Sequence, residues 1–391
     1  MNTDRNSCDD SGIQPRKPAL SGAEGRRQNA AHSASCGWPS GESASPEGAK
    51  ESWDTSFVDA QDDGCVARKS VTQTAAQTAP PTPAALGWSR LPAHYAIPSM
   101  PPALDEARAY CARLARTHYE NFSVASWFLP RRLRQHFFNV YAYCRISDDL
   151  GDEVGDTAAS LELLDQWQHE LDACYDGTPK HPVFVALSET VRQFDIPKHE
   201  FSDLLIAFRQ DQTVTRFETF DDLLAYCKYS ANPVGHLVLY LCGYRDAERQ
   251  HLSDFTCTAL QLANFWQDVS ADYAKGRIYL PLEDLRLFNV SEDEIARDQN
   301  TPAFSSMMKF EVERARDWFR QGLPLIAQVD RELAVDLDLF SRGGQEILNA
   351  IERQHYAVLG NRPVISKPRK LALVARAAMG KLFGSSLGEK R

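Results

Sequence analysis

The sequence lacks the features that mark several large classes of protein. No uninterrupted apolar run approaches the roughly 20 residues that a helix needs to span a bilayer, so we predict no transmembrane segment. The nine cysteines include no CxxC pair, their number is odd, and no secretory signal is visible. We therefore expect a cytoplasmic protein without a disulfide framework.

An excess of positive charge is also missing. The chain has 43 Lys and Arg residues against 53 Asp and Glu residues, which gives a formal net charge of -10. Proteins that bind nucleic acids concentrate basic residues against the phosphate backbone, so we expect no nucleic-acid partner. Hydrophobic residues make up 43% of the 391 positions, which is enough for a sizeable buried core.

Large apolar residues are scarce in the first part of the chain. Residues 1–92 are rich in Ser, Ala, Gly, Pro, Asp and Gln and show no sustained periodicity. Such a composition buries too little surface to offset its ordering entropy, which predicts a disordered N-terminal extension. Its frequent acidic residues argue against a mitochondrial or plastid transit peptide. A tail without specific function, or a misassigned start codon, is the favoured interpretation.

Apolar residues recur at three- and four-residue spacing through most of the remaining chain, which is the pattern of amphipathic helices. The predicted helices cover residues 105–117, 131–151, 158–175, 198–210, 220–241, 252–274, 301–328 and 337–359. No stretch alternates in the manner of a strand, and no repeat of fixed period occurs. We therefore predict one all-α domain over residues 93–378, followed by a basic C-terminal tail, residues 379–391.

Two carboxylate clusters lie on separate predicted helices. The first is Asp148, Asp149 and Asp152, at the end of an apolar helix on which Asp148 and Asp152 share a face. The second cluster combines amides and carboxylates along one helix face: Gln261, Asn264, Asp268 and Asp272. Large apolar residues cover much of the rest of that helix, so the polar stripe is expected to face a cavity.

Carboxylates stacked on one face repel each other unless a positive charge lies between them. Oxygen ligands at this spacing suit Mg²⁺, which keeps several waters and commonly bridges to substrate phosphates. Two such faces opposed across a bundle would hold a diphosphate through shared metal ions and stabilise it as a leaving group. The alternative is that both clusters are solvated helix faces with capping roles. The pairing of two clusters, with amides interleaved in the second, favours the metal interpretation.

The motifs around these clusters resemble a known family, the squalene and phytoene synthases. The first motif reads YAYCRISDDLGDE (141–153) and the second reads QLANFWQDVSADYAKGRIYLP (261–281). The resemblance covers about residues 107–375. Three further phrases are most similar to the hydroxysqualene synthases of hopanoid pathways: NFSVASWFLP (121–130), AFRQDQTVTRF (207–217) and YCKYSANPVG (226–235).

The resemblance implies an isoprenoid-synthase helical bundle around a central cavity, with Mg²⁺ as the cofactor. The implied metal ligands are Asp148, Asp149, Asp152, Asn264, Asp268 and Asp272. The implied substrate contacts are His118, Asn121, Arg145, Gln261, Asn264, Arg277 and Tyr356. The residues expected to act in catalysis are Arg145, Tyr226, Asp148 and Asp268. Purely structural roles stay open as alternatives for three of these residues: a helix ion pair for Arg145, a surface histidine for His118 and a core aromatic for Tyr226.

The same resemblance implies conversion of presqualene diphosphate and water to hydroxysqualene and diphosphate. Many family members read VAG, any residue, then VG where this chain has Asn232 and Pro233, which place a polar amide and a helix kink there. Presqualene diphosphate, squalene or phytoene synthesis from two prenyl diphosphates is the nearest alternative. A non-catalytic assembly factor is disfavoured, because such a relative should have lost metal ligands. Downstream hopanoid-pathway enzymes are the implied protein partners.

The C-terminal stretch from Lys367 to Lys381 is basic. It contains no acidic residue, and apolar residues such as Leu371 and Met379 lie between its cations. Two interpretations stay open, a helix that lies on an anionic bilayer and a solvated basic tail. We therefore expect a cytoplasmic enzyme for which peripheral membrane contact is one of two alternatives.

Overall fold

The computed structural model describes residues 82–117 and 131–382, and these ranges are helical almost throughout. The described ranges contain no β-strand; their one extended pairing is an isolated bridge between Arg216 and Ile278. Among the described helices, none is long and apolar enough to cross a membrane. The prediction of an all-α fold is confirmed.

The helices of the first half of the described chain are α1 to α8. They are α1 (Pro83–Arg90), α2 (Leu104–Thr117), α3 (Arg134–Asp152), α4 (Thr157–Asp176), α5 (Pro182–Phe194), α6 (His199–Gln210), α7 (Phe220–Ser230) and α8 (Asn232–Leu241). Those of the second half are α9 (Ala247–Gln267), α10 (Val269–Ala274), α11 (Leu282–Leu287), α12 (Glu292–Ala296), α13 (Pro302–Gly322), α14 (Arg331–Arg353) and α15 (Lys367–Leu382). Two 3-10 turns, Ala93–Tyr95 and Leu323–Ala327, complete the regular structure of these ranges.

The first hydrophobic core forms between α1 to α6 and α8. Trp167 of α4 is fully buried, and its ring meets that of Phe184 edge-on at a centroid distance of 4.5 Å. Its indole Nε1 donates to Ser147 Oγ over 2.9 Å, which satisfies the one polar atom of the ring. This packing fixes α3, the helix of the first carboxylate cluster, against α4.

The second hydrophobic core surrounds α9, the helix of the second cluster. Trp266 of α9 is fully buried there, and α13 and α14 pack along the same helix. Two glycines allow the close approach: a Cβ on Gly322 would collide with Thr256, and one on Gly344 would collide with Phe319. The carboxylate stripe of α9 is therefore held on a rigid, well-packed helix.

The folded region begins earlier than the composition indicated. Helix α1 lies within the segment 1–92 that was predicted to be disordered, so the structure differs from that prediction from residue 83 onward. Residues 1–81 lie outside the described residues, and for them disorder stays a prediction. Thr82 caps the helix by accepting from the Ala85 amide over 3.2 Å. Trp88 Nε1 donates to Gln166 of α4 over 3.0 Å, and Leu91 is buried. These long-range contacts offset the ordering entropy that a local reading of composition assigns to the segment.

Two of the predicted helices are each divided into two. The first, 220–241, breaks at Ala231, because Pro233 cannot donate a backbone hydrogen bond and is tolerated only in the first turn of α8. The second, 252–274, breaks at Asp268, where the backbone leaves helical geometry with a φ of -107°. At the C-terminus, α15 crosses the predicted boundary between residues 378 and 379, so the tail is partly helical.

Candidate active site

The first carboxylate cluster lies on the last turns of α3. Asp149 is buried and accepts from the hydroxyl of Tyr95 over 2.7 Å and from Nε of Arg145 over 3.1 Å. A second guanidinium nitrogen of Arg145 contacts the other Asp149 oxygen, and a third lies 3.5 Å from Asp148. The predicted helix ion pair of Arg145 is therefore present, and Asp149 orients the guanidinium toward Asp148.

Asp148 is the least satisfied carboxylate of the first cluster. Its Oδ1 is buried and has no hydrogen-bond partner among the described residues. Burial raises the pKa of Asp148 well above its usual range, and the negative charge of Asp152 adds to this effect while Arg145 opposes it. A buried carboxylate oxygen without a donor is costly, so Oδ1 of Asp148 is suited to contact a further cation.

The second cluster continues across the break between α9 and α10. The Asp268 amide donates to the Asn264 carbonyl over 2.9 Å, and the Asp272 amide donates to the Asp268 carbonyl over 2.8 Å. Four-residue backbone hydrogen bonding thus persists, and the three side chains keep a common face despite the break. Burial, followed by the charge of Asp268, raises the pKa of Asp272 to about 8.

The two clusters face each other across a pair of basic residues. Arg277 donates from one guanidinium nitrogen to Asp152 over 3.0 Å, and Lys275 Nζ lies 3.1 Å from the other oxygen of the same carboxylate. Both basic side chains also lower the pKa of Asp272, against the larger effect of burial. Asp152 of the first cluster and Asp272 of the second therefore share one set of cations.

Local backbone geometry places these cations. Gly276 adopts a φ of +86°, which ends α10 in the left-handed conformation that glycine tolerates. The Arg277 amide then donates back to the Asp272 carbonyl over 2.8 Å, and the next residue, Ile278, donates to Thr215 over 3.0 Å. These hydrogen bonds hold the chain after Gly276 in place, so that the Arg277 side chain reaches Asp152.

A third basic residue reaches the site from the far end of the chain. Arg362 binds the carboxylate of Asp268 with two nitrogens, one of them at 3.0 Å. Its loop is held because Gln267, next to Asp268, donates to the carbonyl of Pro363. The loop that follows α14 thus closes over the end of the stripe.

A group of buried polar side chains lies at α9, one to two turns before Asn264, the first predicted metal ligand of that helix. Asn232 Oδ1 accepts from the hydroxyl of Thr258 over 3.0 Å, and both side chains are buried. Gln261 follows Thr258 by three residues and therefore shares its face of α9. The Gln261 Nε2 atom is buried and has no hydrogen-bond partner among the described residues. Asn232, the polar residue predicted at the α7–α8 break, is therefore hydrogen-bonded through Thr258 to the polar face of α9.

Aromatic rings border the second cluster. Tyr226 is buried, and its ring centroid lies 5.3 Å from that of Phe217 and 6.0 Å from that of Tyr279. Phe265 stacks on Tyr279 at 3.9 Å with nearly parallel planes. Burial and then the charges of Asp211 and Asp272 raise the pKa of Tyr279. The ring lies beside the acidic stripe because it stacks on Phe265, the residue that follows Asn264 on α9. The core interpretation of Tyr226 and a site-lining role are both compatible with this position.

The remaining predicted residues differ in their placement. His118 and Asn121 lie outside the described residues. The hydroxyl of Tyr356 is beside Glu352, and burial followed by the charge of Glu352 raises its pKa, which Arg316 opposes. Neither Glu352 nor Arg316 belongs to the carboxylate clusters. The structure therefore brings together the first cluster, the second cluster, Arg145 and Arg277, and it places the Tyr356 hydroxyl elsewhere.

Three residues of the site were missed from the sequence: Tyr95, Lys275 and Arg362. Lys275 carried a signal, because it lies between Asp272 and Arg277 in a predicted motif. Tyr95 and Arg362 carried none, since they reach Asp149 and Asp268 across 54 and 94 residues of chain. Such contacts depend on tertiary packing.

Comparison with known proteins identifies this arrangement. The sequence pattern of squalene/phytoene synthases matches residues 115–369. The protein belongs to the squalene/phytoene synthase family. Members of this family are enzymes that act on prenyl diphosphates, which agrees with opposed acidic and basic groups in the site.

Individual relatives span several reactions. The chain is 30% identical to the 15-cis-phytoene synthase of Synechocystis over 281 residues, which cover 69% of this chain and 83% of the relative. It is 43% identical to squalene synthase HpnC from Alicyclobacillus acidocaldarius, whose crystal structure superposes with a TM-score of 0.62 over 69% of this chain and 98% of that one. A dehydrosqualene synthase solved with a ligand is 29% identical, with a TM-score of 0.65 over 72% of this chain and 98% of that chain.

The site fits the divalent metal that the family generally uses. In the described part of the chain, no three His, Cys, Asp or Glu side chains are grouped closely enough to hold an ion alone. The carboxylates lie instead on two facing helices with cations between them, and Asp148 has a buried oxygen without a donor. Hard oxygen ligands spread in this way suit Mg²⁺ that is shared with substrate phosphates.

Proposed function

We propose that this family member converts presqualene diphosphate and water to hydroxysqualene and diphosphate. One bond breaks, between carbon and the diphosphate oxygen, and one forms, between carbon and the oxygen of water, with release of a proton. The 43% identity to squalene synthase HpnC, against 30% to a phytoene synthase, supports the squalene side of the family over the phytoene side. The observation that carries the water step is the buried Asn232 amide, whose Oδ1 accepts from the hydroxyl of Thr258 on the polar face of α9.

The basic side chains of the site bind the diphosphate in this proposal. Arg145, Lys275, Arg277 and Arg362 all contact carboxylates of the two clusters, so an arriving diphosphate meets preorganised donors. Six residues of the two clusters would hold Mg²⁺, which would neutralise charge on the leaving group: Asp148, Asp149, Asp152, Asn264, Asp268 and Asp272.

The aromatic rings protect the carbocation that remains. Tyr226, Phe265 and Tyr279 pack against one another next to the second cluster. In this proposal the electron-rich faces of this ring cluster stabilise the nearby positive charge electrostatically. They also exclude bulk water, so capture depends on water held at a defined place. The Asn232 amide, anchored by Thr258, orients that water.

A product assay tests the proposal. Purified protein with Mg²⁺ is given presqualene diphosphate or farnesyl diphosphate separately, without NADPH, and products are identified by mass spectrometry. Hydroxysqualene from presqualene diphosphate alone is the expected result. Squalene formation that requires NADPH would contradict it.

A second candidate is condensation of two prenyl diphosphates, which the similarity to a cyanobacterial phytoene synthase favours. Presqualene diphosphate from farnesyl diphosphate, or phytoene from geranylgeranyl diphosphate, would establish this candidate instead.

The role of Asn232 has its own test. Asn232→Leu is expected to release diphosphate from presqualene diphosphate while the hydroxysqualene share of the products falls at least about fivefold, since an interaction worth about 1 kcal/mol is lost. Thr258→Ser retains the donor to Asn232 and is the matched control, with products like those of the wild type. An unchanged product distribution in Asn232→Leu would remove this residue from the water step.

A further inference from the structure

Helix α15 packs on α14 through one side only. Ala377 is buried in the contact, and a Cβ on Gly380 would lie 3.4 Å from Val335 of α14. Ion pairs reinforce the same side, with Arg369 at 3.0 Å from Glu346 and Arg376 at 3.7 Å from Asp338. These contacts fix the rotation of α15 and therefore determine which of its side chains face outward.

The outward side of α15 is apolar. Leu371, Ala375 and Met379 follow each other at four-residue spacing, which places them along one helix face. Leu371 is 69% exposed and Met379 is 52% exposed, so the two largest members of this stripe point away from the protein. Val364, just before the helix, is 61% exposed. Two exposed large apolar residues on one helix face, with a third just before the helix, indicate an interaction surface.

The charge around this stripe has one sign. Lys367 and Lys370 are exposed beside it, and the whole helix, Lys367–Leu382, contains no acidic residue. The protein as a whole has a formal net charge of -10, so this basic helix is a local exception. The acidic residues of α14 pair with Arg369 and Arg376 on the inner side, which leaves the two lysines at the outer face.

We propose that this outer face of α15 binds to the surface of an anionic phospholipid bilayer. An apolar stripe flanked by lysines is the arrangement of helices that lie in the plane of the lipid interface, with apolar side chains at the acyl boundary and cations at the headgroups. The lysines determine a preference for anionic lipid, and Leu371 and Met379 provide insertion. A second copy of the chain is disfavoured as the occupant, because it would bring the lysines of the two copies against each other.

The test is flotation of the full-length protein with vesicles of phosphatidylcholine, with or without phosphatidylglycerol. We expect binding to the anionic vesicles and little binding to the neutral ones. The double variant Lys367→Glu with Lys370→Glu is expected to weaken partitioning at least about tenfold, given that each basic residue near such a surface contributes about a fivefold factor. Leu371→Ser with Met379→Ser should reduce it at least about tenfold as well.

Matched controls come from other exposed sites. Leu287→Ser removes an apolar side chain that is 66% exposed on α11, and Lys309→Glu reverses an exposed charge on α13. Both should bind vesicles like the wild type, and thermal unfolding establishes that every variant is folded. Equal binding to neutral and anionic vesicles, or full binding by both α15 double variants, would overturn the proposal. So would a dimer of the wild type, measured by light scattering without lipid, that Leu371→Ser with Met379→Ser abolishes.

Discussion

Arg277 donates to Asp152 over 3.0 Å and follows Asp272 by five residues, so a single guanidinium lies between the two carboxylate clusters. Both partners are buried, with side-chain exposures of 6% and 8%. Removing one partner of a buried ion pair strongly destabilises the folded protein, because the other charge is left without compensation. The pair therefore couples the stability of the bundle to the charge balance of the site.

Arg277→Met should accordingly affect both properties. We expect kcat/KM for the prenyl diphosphate to fall roughly 100-fold or more. The free energy of unfolding should fall by about 3 kcal/mol, the lower end of the range for a broken buried ion pair, because Lys275 still contacts Asp152. Arg286→Met is the control, because its ion pair with Glu218 is 61% exposed on both sides. Activity assays and chemical denaturation measure the two effects. Activity within about threefold of the wild type would contradict the assigned role of Arg277.

Tyr356 is the residue on which the family resemblance and the structure differ. The resemblance implies a diphosphate contact, whereas the structure places the hydroxyl beside Glu352. Following the structure, Tyr356→Phe should change KM by less than about threefold, because the ring and its packing are retained. An increase in KM of more than about tenfold would show that the hydroxyl reaches the substrate during turnover.

The features that the sequence predicted correctly all depend on residues that are close together in the chain. Helix periodicity located α3 and α9, and four-residue spacing placed Asp268 and Asp272 on one face. Arg362 could not be found in this way, since its contact with Asp268 depends on how the loop after α14 returns to α9. The same reason explains α1, whose order depends on contacts with α4 that composition does not reveal.

His236 joins three helices and should make stability depend on pH. Its Nδ1 lies 2.9 Å from Glu200 of α6, and its Nε2 lies 2.8 Å from Asp254 of α9. Burial disfavours the charged ring, but the hydrogen bonds to Asp254 and Glu200 outweigh it and raise the pKa of His236 to about 9. The unfolded value is about 6.5. The stabilisation is therefore fully present below about pH 6.5 and is lost as the pH rises through about 9.

His236→Gln tests this dependence by thermal unfolding. We expect the midpoint to fall by more at about pH 6 than at about pH 10, with a contribution on the order of 3 kcal/mol at the lower pH. His251→Gln, an exposed histidine on α9, is the control and should change the midpoint little at either pH. A deficit of His236→Gln that is the same at both pH values would be inconsistent with a charged ring.

Helix α1 provides a test of where the folded domain begins. Trp88 is half-buried against α4 and donates to Gln166, and the chain then runs through Leu91 to Tyr95, which hydrogen-bonds to Asp149. Trp88→Ala removes a large apolar contact, so we expect a loss of about 2–3 kcal/mol in the free energy of unfolding, somewhat less than for a fully buried tryptophan. Ser89→Ala, at an exposed neighbouring position, is the control.

Trp88→Ala should also increase the mobility of the turn that carries Tyr95 to the candidate active site. Because α1 leads directly into the turn that carries Tyr95, its loosening is expected to increase amide hydrogen exchange of residues 93–95 more than that of α9. Trp88→Phe retains most of the ring packing but not the hydrogen bond, and should fall between the wild type and Trp88→Ala in stability. If Trp88→Ala and Ser89→Ala were equally stable, α1 would contribute nothing to the fold, and the Tyr95–Asp149 contact would have to be maintained by residues after Leu91 alone.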